Sequence, residues 1–293
     1  PFVISCDALI YPDSGKVVIE SGGQMRTLDS ARIIASLENK NHVINRATVS
    51  IDGRKAYRGS GYYEYNIGDR AQEILFDDIV GQRVGGGARS EKKTETRATG
   101  EVTEMDRFYI DHKTEFAGTI SLFANSKALL FDGYARLDVP DMPARQWFSL
   151  NSPGDKSDLT IEFDQPKTYG GEPVRAGLYL SKETSEVYPR VMMPLFFRKD
   201  RPIIDTRGFF KYDQKADQFI FGDSTKVLAD GKRGNLMTYR IRDGQMNFEG
   251  TMQLGTGMQY VKVTAAGTAE TRFRQEAVEP LPADTVGQNA SDD

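Results

Sequence analysis

The sequence predicts an all-β protein built from antiparallel hairpin repeats, arranged as a β-solenoid-like stack. Three observations carry that reading. Apolar runs of strand length alternate with Gly-, Pro- and Asp-containing turns along most of the chain. Almost no segment repeats its apolar residues at the 3.6 spacing of a helix. And one pattern appears four times: a Gly, an apolar or aromatic run, a polar turn, and a second run that ends in Phe.

Taken in order, DALIYPDSGKVVIESGG (7–23) reads as a hairpin. Ala8–Tyr11 and Val17–Ile19 flank Pro12-Asp13-Ser14-Gly15. There Pro presets φ, Asp can bond its own backbone and Gly15 can take a positive φ. Residues 24–51 read mostly as strand. Ala31–Leu37 leaves a helical turn open, since Leu28, Ile33, Ile34 and Leu37 fit neither period cleanly. Next comes a hairpin from Arg58 to Ile79, closing the N-terminal block 1–80. Residues 81–106 are glycine-rich and then charged, and the sequence predicts a mobile surface loop there. A phosphate-cradling loop is excluded because GxxxxGK[ST] is missing.

Residues 107–275 form the repeat region. A Phe116–Leu137 hairpin precedes a proline-containing connection that holds the single Trp, Trp147. Strands resume in LTIEFDQP, AGLYLS and EVYPRVMMPLFF, followed by two further hairpins and MQYVKVTAAGTAETRF. The tail 276–293 has no core former beyond isolated residues and is expected to be disordered. Aligned on their glycines, the four repeats begin at Gly61, Gly118, Gly208 and Gly234 and close on Phe76, Phe131, Phe221 and Phe248. The steps of 15, 13, 13 and 14 residues suit two short strands and a tight turn. These four phenylalanines are expected to share one core.

The chemistry that the residues exclude is as useful. Lys and Arg number 38 against 42 Asp and Glu, so no basic field exists to attract nucleic acid. One cysteine permits no internal disulfide, and two histidines, His42 and His112, leave little for imidazole metal sites or His-based catalysis. Val3-Ile4-Ser5-Cys6 loosely matches a lipoprotein cleavage box, but reads better as a strand with a buried thiol. The start at Pro1 reads as that of a mature or excised segment. No G-x-S-x-G elbow or EF-hand loop occurs. Carboxylates such as Asp77-Asp78 read as hairpin-turn charges. The expectation is a protein that is not an enzyme and needs no cofactor or metal.

Aromatics point elsewhere. Adjacent rings, Tyr62-Tyr63 and Phe209-Phe210, must lie on opposite faces of their strands, so one of each pair faces out or into a groove. RVMMPLFFRKD (190–200) is either a strand buried on both faces or the apolar wall of a groove with cationic rims. The candidate groove residues are Met192, Met193, Leu195, Phe196, Phe197, Phe209 and Tyr62.

DALIYPDSGKVVIESGG, the later Gly–aromatic–turn–Phe–Gly rungs, LLFDGYARL (129–137) and AGLYLS (176–181) resemble the OstA-like repeats of periplasmic lipopolysaccharide-transport proteins. The chain is also similar to large uncharacterised envelope proteins of Bacteroidota. The resemblance covers residues 7–23 and, in patches, 58–255. The Trp147 stretch and 81–106 depart from a uniform repeat. It implies an open β-jellyroll, folded as a V, whose apolar groove shields acyl chains. The expected function is therefore a non-enzymatic, amphiphile-binding or lipid-conduit module. Its expected place is the periplasm or outer membrane, with lipid, lipopolysaccharide or other envelope proteins as partners. The alternative is a structural or assembly subunit of an envelope complex.

Overall fold

Inward-facing side chains, more than turn chemistry, decide which strands pair. The protein is described here by a computed structural model covering residues 2–37, 40–53, 55–84, 93–139, 145–155, 159–229, 231, 233–255 and 264–272. It is nearly all β, and its antiparallel sheets form a curled half-barrel of jellyroll-like kind.

Among the described residues, thirteen strands make one sheet. They are β1 (Val3–Ser5), β2 (Ala8–Pro12), β3 (Val17–Ile19), β4 (Gln24–Thr27), β5 (Ala31–Ile34), β6 (Val43–Asp52) and β7 (Ala56–Glu64), then β8 (Glu73–Val84), β9 (Lys93–Val102), β10 (Phe108–Tyr109), β11 (Thr114–Phe123), β12 (Leu129–Leu137) and β13 (Phe148–Gly154). The main path runs β1-β2-β5-β6-β7-β8-β9-β11-β12-β13. Beside it come β14 (Ile161–Phe163), then β15 (Val174–Leu180), β16 (Val187–Pro194) and β17 (Arg201–Thr206), which form a separate three-stranded sheet in the order β16-β15-β17. Finally β18 (Gly208–Asp213), β19 (Gln218–Gly222), β20 (Leu236–Arg240), β21 (Gln245–Gln253) and β22 (Thr264–Arg272) extend β14 into a six-stranded meander. Among the described residues, a short α-helix, α1 (Ser224–Val227), follows β19, and a 3-10 turn, Glu104–Asp106, follows β9.

Three expectations are corrected. The turn at Pro12–Gly15 forms, with the Gly15 N–H donating to Pro12 O at 2.9 Å. The runs on either side of it do not pair: β2 takes β1 and β5, while β3 takes β4. Ala8 and Ile10 are buried, whereas β3 is half-exposed, so burying β2 between apolar neighbours outweighs closing a local hairpin. Ala31–Ile34 is strand rather than helical turn, and Cys6 is buried in a turn after β1, not within a strand. The third correction concerns 81–106. Residues 81–84 and 93–102 belong to the paired strands β8 and β9 and Glu104–Asp106 to a short 3-10 turn, while 85–92 lie outside the described residues. The expected disordered tail, 276–293, also lies outside them.

The four Gly–Phe stretches are antiparallel hairpins. Phe76 lies opposite Gly61, Phe131 opposite Ile120, Phe221 opposite Phe210 and Phe248 opposite Met237. All four rings are buried in one apolar core that draws on every sheet. The two larger sheets run on from one another at β13 and β14. There the Glu162 N–H donates to Ser152 Oγ at 3.1 Å and the Ser149 N–H to Lys167 O at 2.7 Å. Pro153, with no N–H to give, suits a strand laddered on one side only.

Ring contacts show how the curl is filled. Tyr65 meets Phe131 edge-on at 5.9 Å, and Phe131 meets Phe116 at 5.3 Å. A second run passes from Phe148 to Phe210, Phe221 and Phe219, at 5.8 to 6.0 Å per step. Each such pair adds on the order of 1 kcal/mol beyond its area burial. Glycines make room for these rings. The buried Tyr57 lies over its cross-strand partner Gly81 and bonds Thr96 Oγ1 at 2.7 Å, tying β7, β8 and β9 together. A Cβ at Gly81 would overlap that ring.

Gly81→Ala should therefore cost about 1–3 kcal/mol, the range for forced overpacking. The same change made together with Tyr57→Ala should cost far less than the sum of the two single changes. Urea unfolding of the four proteins measures this. Strict additivity would mean that the ring does not occupy the space over Gly81.

Candidate functional site

The three-stranded sheet carries the feature that distinguishes this molecule's surface. β15 is buried on both faces: its own Ala176 and Leu178 join the core on one, and on the other Tyr179 is buried beside Tyr188 of β16, against which a folded-back segment packs. That segment follows β16. The strand ends at Pro194, and residues 195–200 form a bend, so the expectation of one strand through Phe197 is corrected. Met192 and Met193 are both buried despite being adjacent. Met192 has φ of 52°, and the β15–β16 register shifts beside it, so a bulge breaks the alternation.

Asp200 fastens the bend. Its carboxylate accepts from Tyr188 Oη, from the Lys182 N–H at 3.1 Å and from the Phe197 N–H at 3.1 Å. Burial opposes its ionisation, but these bonds and the nearby Arg190 charge outweigh it, holding the carboxyl below the usual range. Tyr188 is pushed up to about 12, first by burial and then by its bond to Asp200. Arg190 lies in the same layer, 6% exposed, with its guanidinium 3.5 Å from the Phe196 ring centre and 4.6 Å from that of Tyr188. Its Nε is buried without a hydrogen-bond partner among the described residues. Burial draws its pKa down, and the neighbouring Tyr188 and Asp200 partly restore it.

The bend holds two phenylalanines at the surface. Phe196 is 64% exposed and Phe197 36%. Phe196 packs on Tyr188, with ring centres tilted and 4.7 Å apart, and carries the Arg190 guanidinium over its ring, yet much of its surface remains exposed. Beside it lies a cleft of about 660 Å³ whose lining includes Pro173, Pro194, Leu195 and Phe196 with Arg175, Arg198 and Glu172. That volume falls within the usual range for small-molecule sites. Neither Arg175 nor Arg198 forms an ion pair among the described residues. The cleft is thus apolar on one wall and carries two arginines against one glutamate.

Of the seven candidate groove residues, this cleft brings together Leu195 and Phe196, with Phe197 on the same bend. Met192 and Met193 lie beneath, in the core. Tyr62 is half-buried on β7 under the Arg46 guanidinium at 4.3 Å, and Phe209 is half-buried on β18. Their neighbours Tyr63 and Phe210 face inward, as strand alternation requires. Arg175 and the Gly170–Pro173 turn were not singled out by the sequence. The Tyr-Gly-Gly-Glu-Pro string at 169–173 signals a turn, but nothing in it signals that β16 would end against it. Compared with family models, curated proteins and solved structures, the chain matches none.

A carboxylate whose folded pKa is depressed stabilises fully above its unfolded value near 4 and loses that contribution as pH falls through the lower folded value. Asp200→Asn should therefore lower stability at pH 7 and flatten the decline as pH falls below about 4. Urea midpoints across that range measure it. An unchanged slope would mean that Asp200 is not the fastening group.

Proposed function

We propose that this chain is a non-enzymatic binding module of the cell envelope that takes an anionic amphiphile, such as a lipid or lipopolysaccharide component, at the cleft beside Phe196. The observation that carries the reading is two exposed phenylalanines held on a fastened bend next to arginines that form no ion pair among the described residues. A ring left 64% exposed beside a second exposed ring forgoes burial worth about 25 cal/mol per Å², and here the two adjoin a cleft. The alkyl portion would lie on Leu195, Phe196 and the two prolines. The charged head would meet Arg175 and Arg198, with Glu172 selecting against a second anionic group. The inward faces of the sheets are already filled by buried aromatic side chains, which favours a surface site over an interior conduit. Placement in the envelope rests on the resemblance of the sequence strings.

Because Phe196 is exposed, Phe196→Asp should leave the circular dichroism of the protein intact while reducing binding of a fluorescent long-chain fatty acid at least tenfold. Arg175→Glu should weaken that anionic probe but leave a neutral, uncharged-head analogue nearly unaffected. Retention of both probes by both variants would overturn the site. No binding by the unmodified protein would favour the assembly-subunit reading instead.

A further inference from the structure

The free edges of the sheets are not alike. β1 and β3 are three residues long, too short to template another strand. β16 carries Pro189 and Pro194 and the bulge at Met192, devices that block edge pairing. β17 lies against β21. β22 is the exception. Its nine residues, Thr264 to Arg272, pair with β21 in unbroken register from Gln245 to Gln253. It has no proline, no lysine and no bulge, and among the described residues no strand takes its outer edge.

We infer that β22 is a docking edge whose occupant is β22 of a second copy of this chain, paired antiparallel about a two-fold axis at Thr268. The sequence TAAGTAETR fits this register, which pairs more of the strand than any other centre. Centred on Thr268, all nine residues pair, over about 30 Å, with Thr264 opposite Arg272 and Glu270 opposite Ala266. The axis sets Thr268 against its own copy, a favourable cross-strand pair. A register centred on Glu270 would set two carboxylates face to face, and one centred on Arg272 two guanidinium groups; both are disfavoured. The small side chains impose no obstacle: Thr268, Ala266 and Gly267 are exposed, and the space above Gly267 is open. Such a contact is isologous and therefore closes at two copies. It forms roughly nine backbone hydrogen bonds and extends the six-stranded meander across the axis.

The full chain should be dimeric by light scattering after size exclusion at about 100 µM, a concentration suited to a small interface. Thr268→Lys and Thr268→Glu each place like charges on the axis and should each be monomeric, with circular dichroism unchanged. An equimolar mixture of the two should recover the dimer, because the axis then joins opposite charges. A monomeric unmodified protein, dimers that persist in both variants, or a mixture that stays monomeric would each overturn the inference. This test does not depend on the Phe196 cleft, so its failure leaves the amphiphile reading untouched.

Discussion

Rings lying over glycines set the curvature on which everything else depends. An antiparallel sheet of this length must curl, and the curl has to be filled at protein density. Tyr57 fills the space above Gly81, and Phe131 reaches to 2.8 Å from where a Cβ of Gly154 would lie. Each pairing puts a large side chain exactly where its neighbour has none, so the sheet bends around the aromatic layer instead of opening away from it. Register shifts in the β6–β7 and β7–β8 ladders add local bends, with Arg46 at positive φ in the first. The result is an interior occupied by the protein's own rings.

That constraint explains what the sequence revealed and what it concealed. The closing phenylalanines were legible because a large apolar residue at a fixed step from a turn is a strong local signal, and all four are buried. The β8–β9 pairing was concealed by the same economy of volume. Inward-facing positions of β9 are Thr96, Ala98, Gly100 and Val102, small because large rings come from across the sheet. A strand whose buried face is built of small residues carries little hydrophobic periodicity, and a glycine that admits a ring reads as a loop glycine. The misread pairing of β2 and β3 has another cause: the turn is local, but the second neighbour of β2 is β5, whose paired residues lie 19 to 25 positions further along the chain.

The candidate site was half legible. Phe196 and Phe197 stood out by composition, along with the cations that flank them. Their exposure was not legible, because it depends on Pro194 ending the strand and on Asp200 bonding back to Tyr188 and to the Lys182 N–H. Those partners lie 12 and 18 residues away in sequence and meet only when β15 and β16 have paired. Folding thus presents an apolar, arginine-flanked surface outside a core filled by buried aromatic side chains. The surface and the core are separate solutions to the placement of a large aromatic content.

The central claim is that an amphiphile binds this protein on its surface at the bend and not between its sheets. Photo-crosslinking with a fatty acid bearing a diazirine near its chain end, followed by mass-spectrometric mapping of the adducts, tests it most directly. The account expects adducts on the segments 170–175 and 194–198. Adducts on inward-facing residues of β6 to β12, such as Ile44, Phe76 or Phe131, would contradict it.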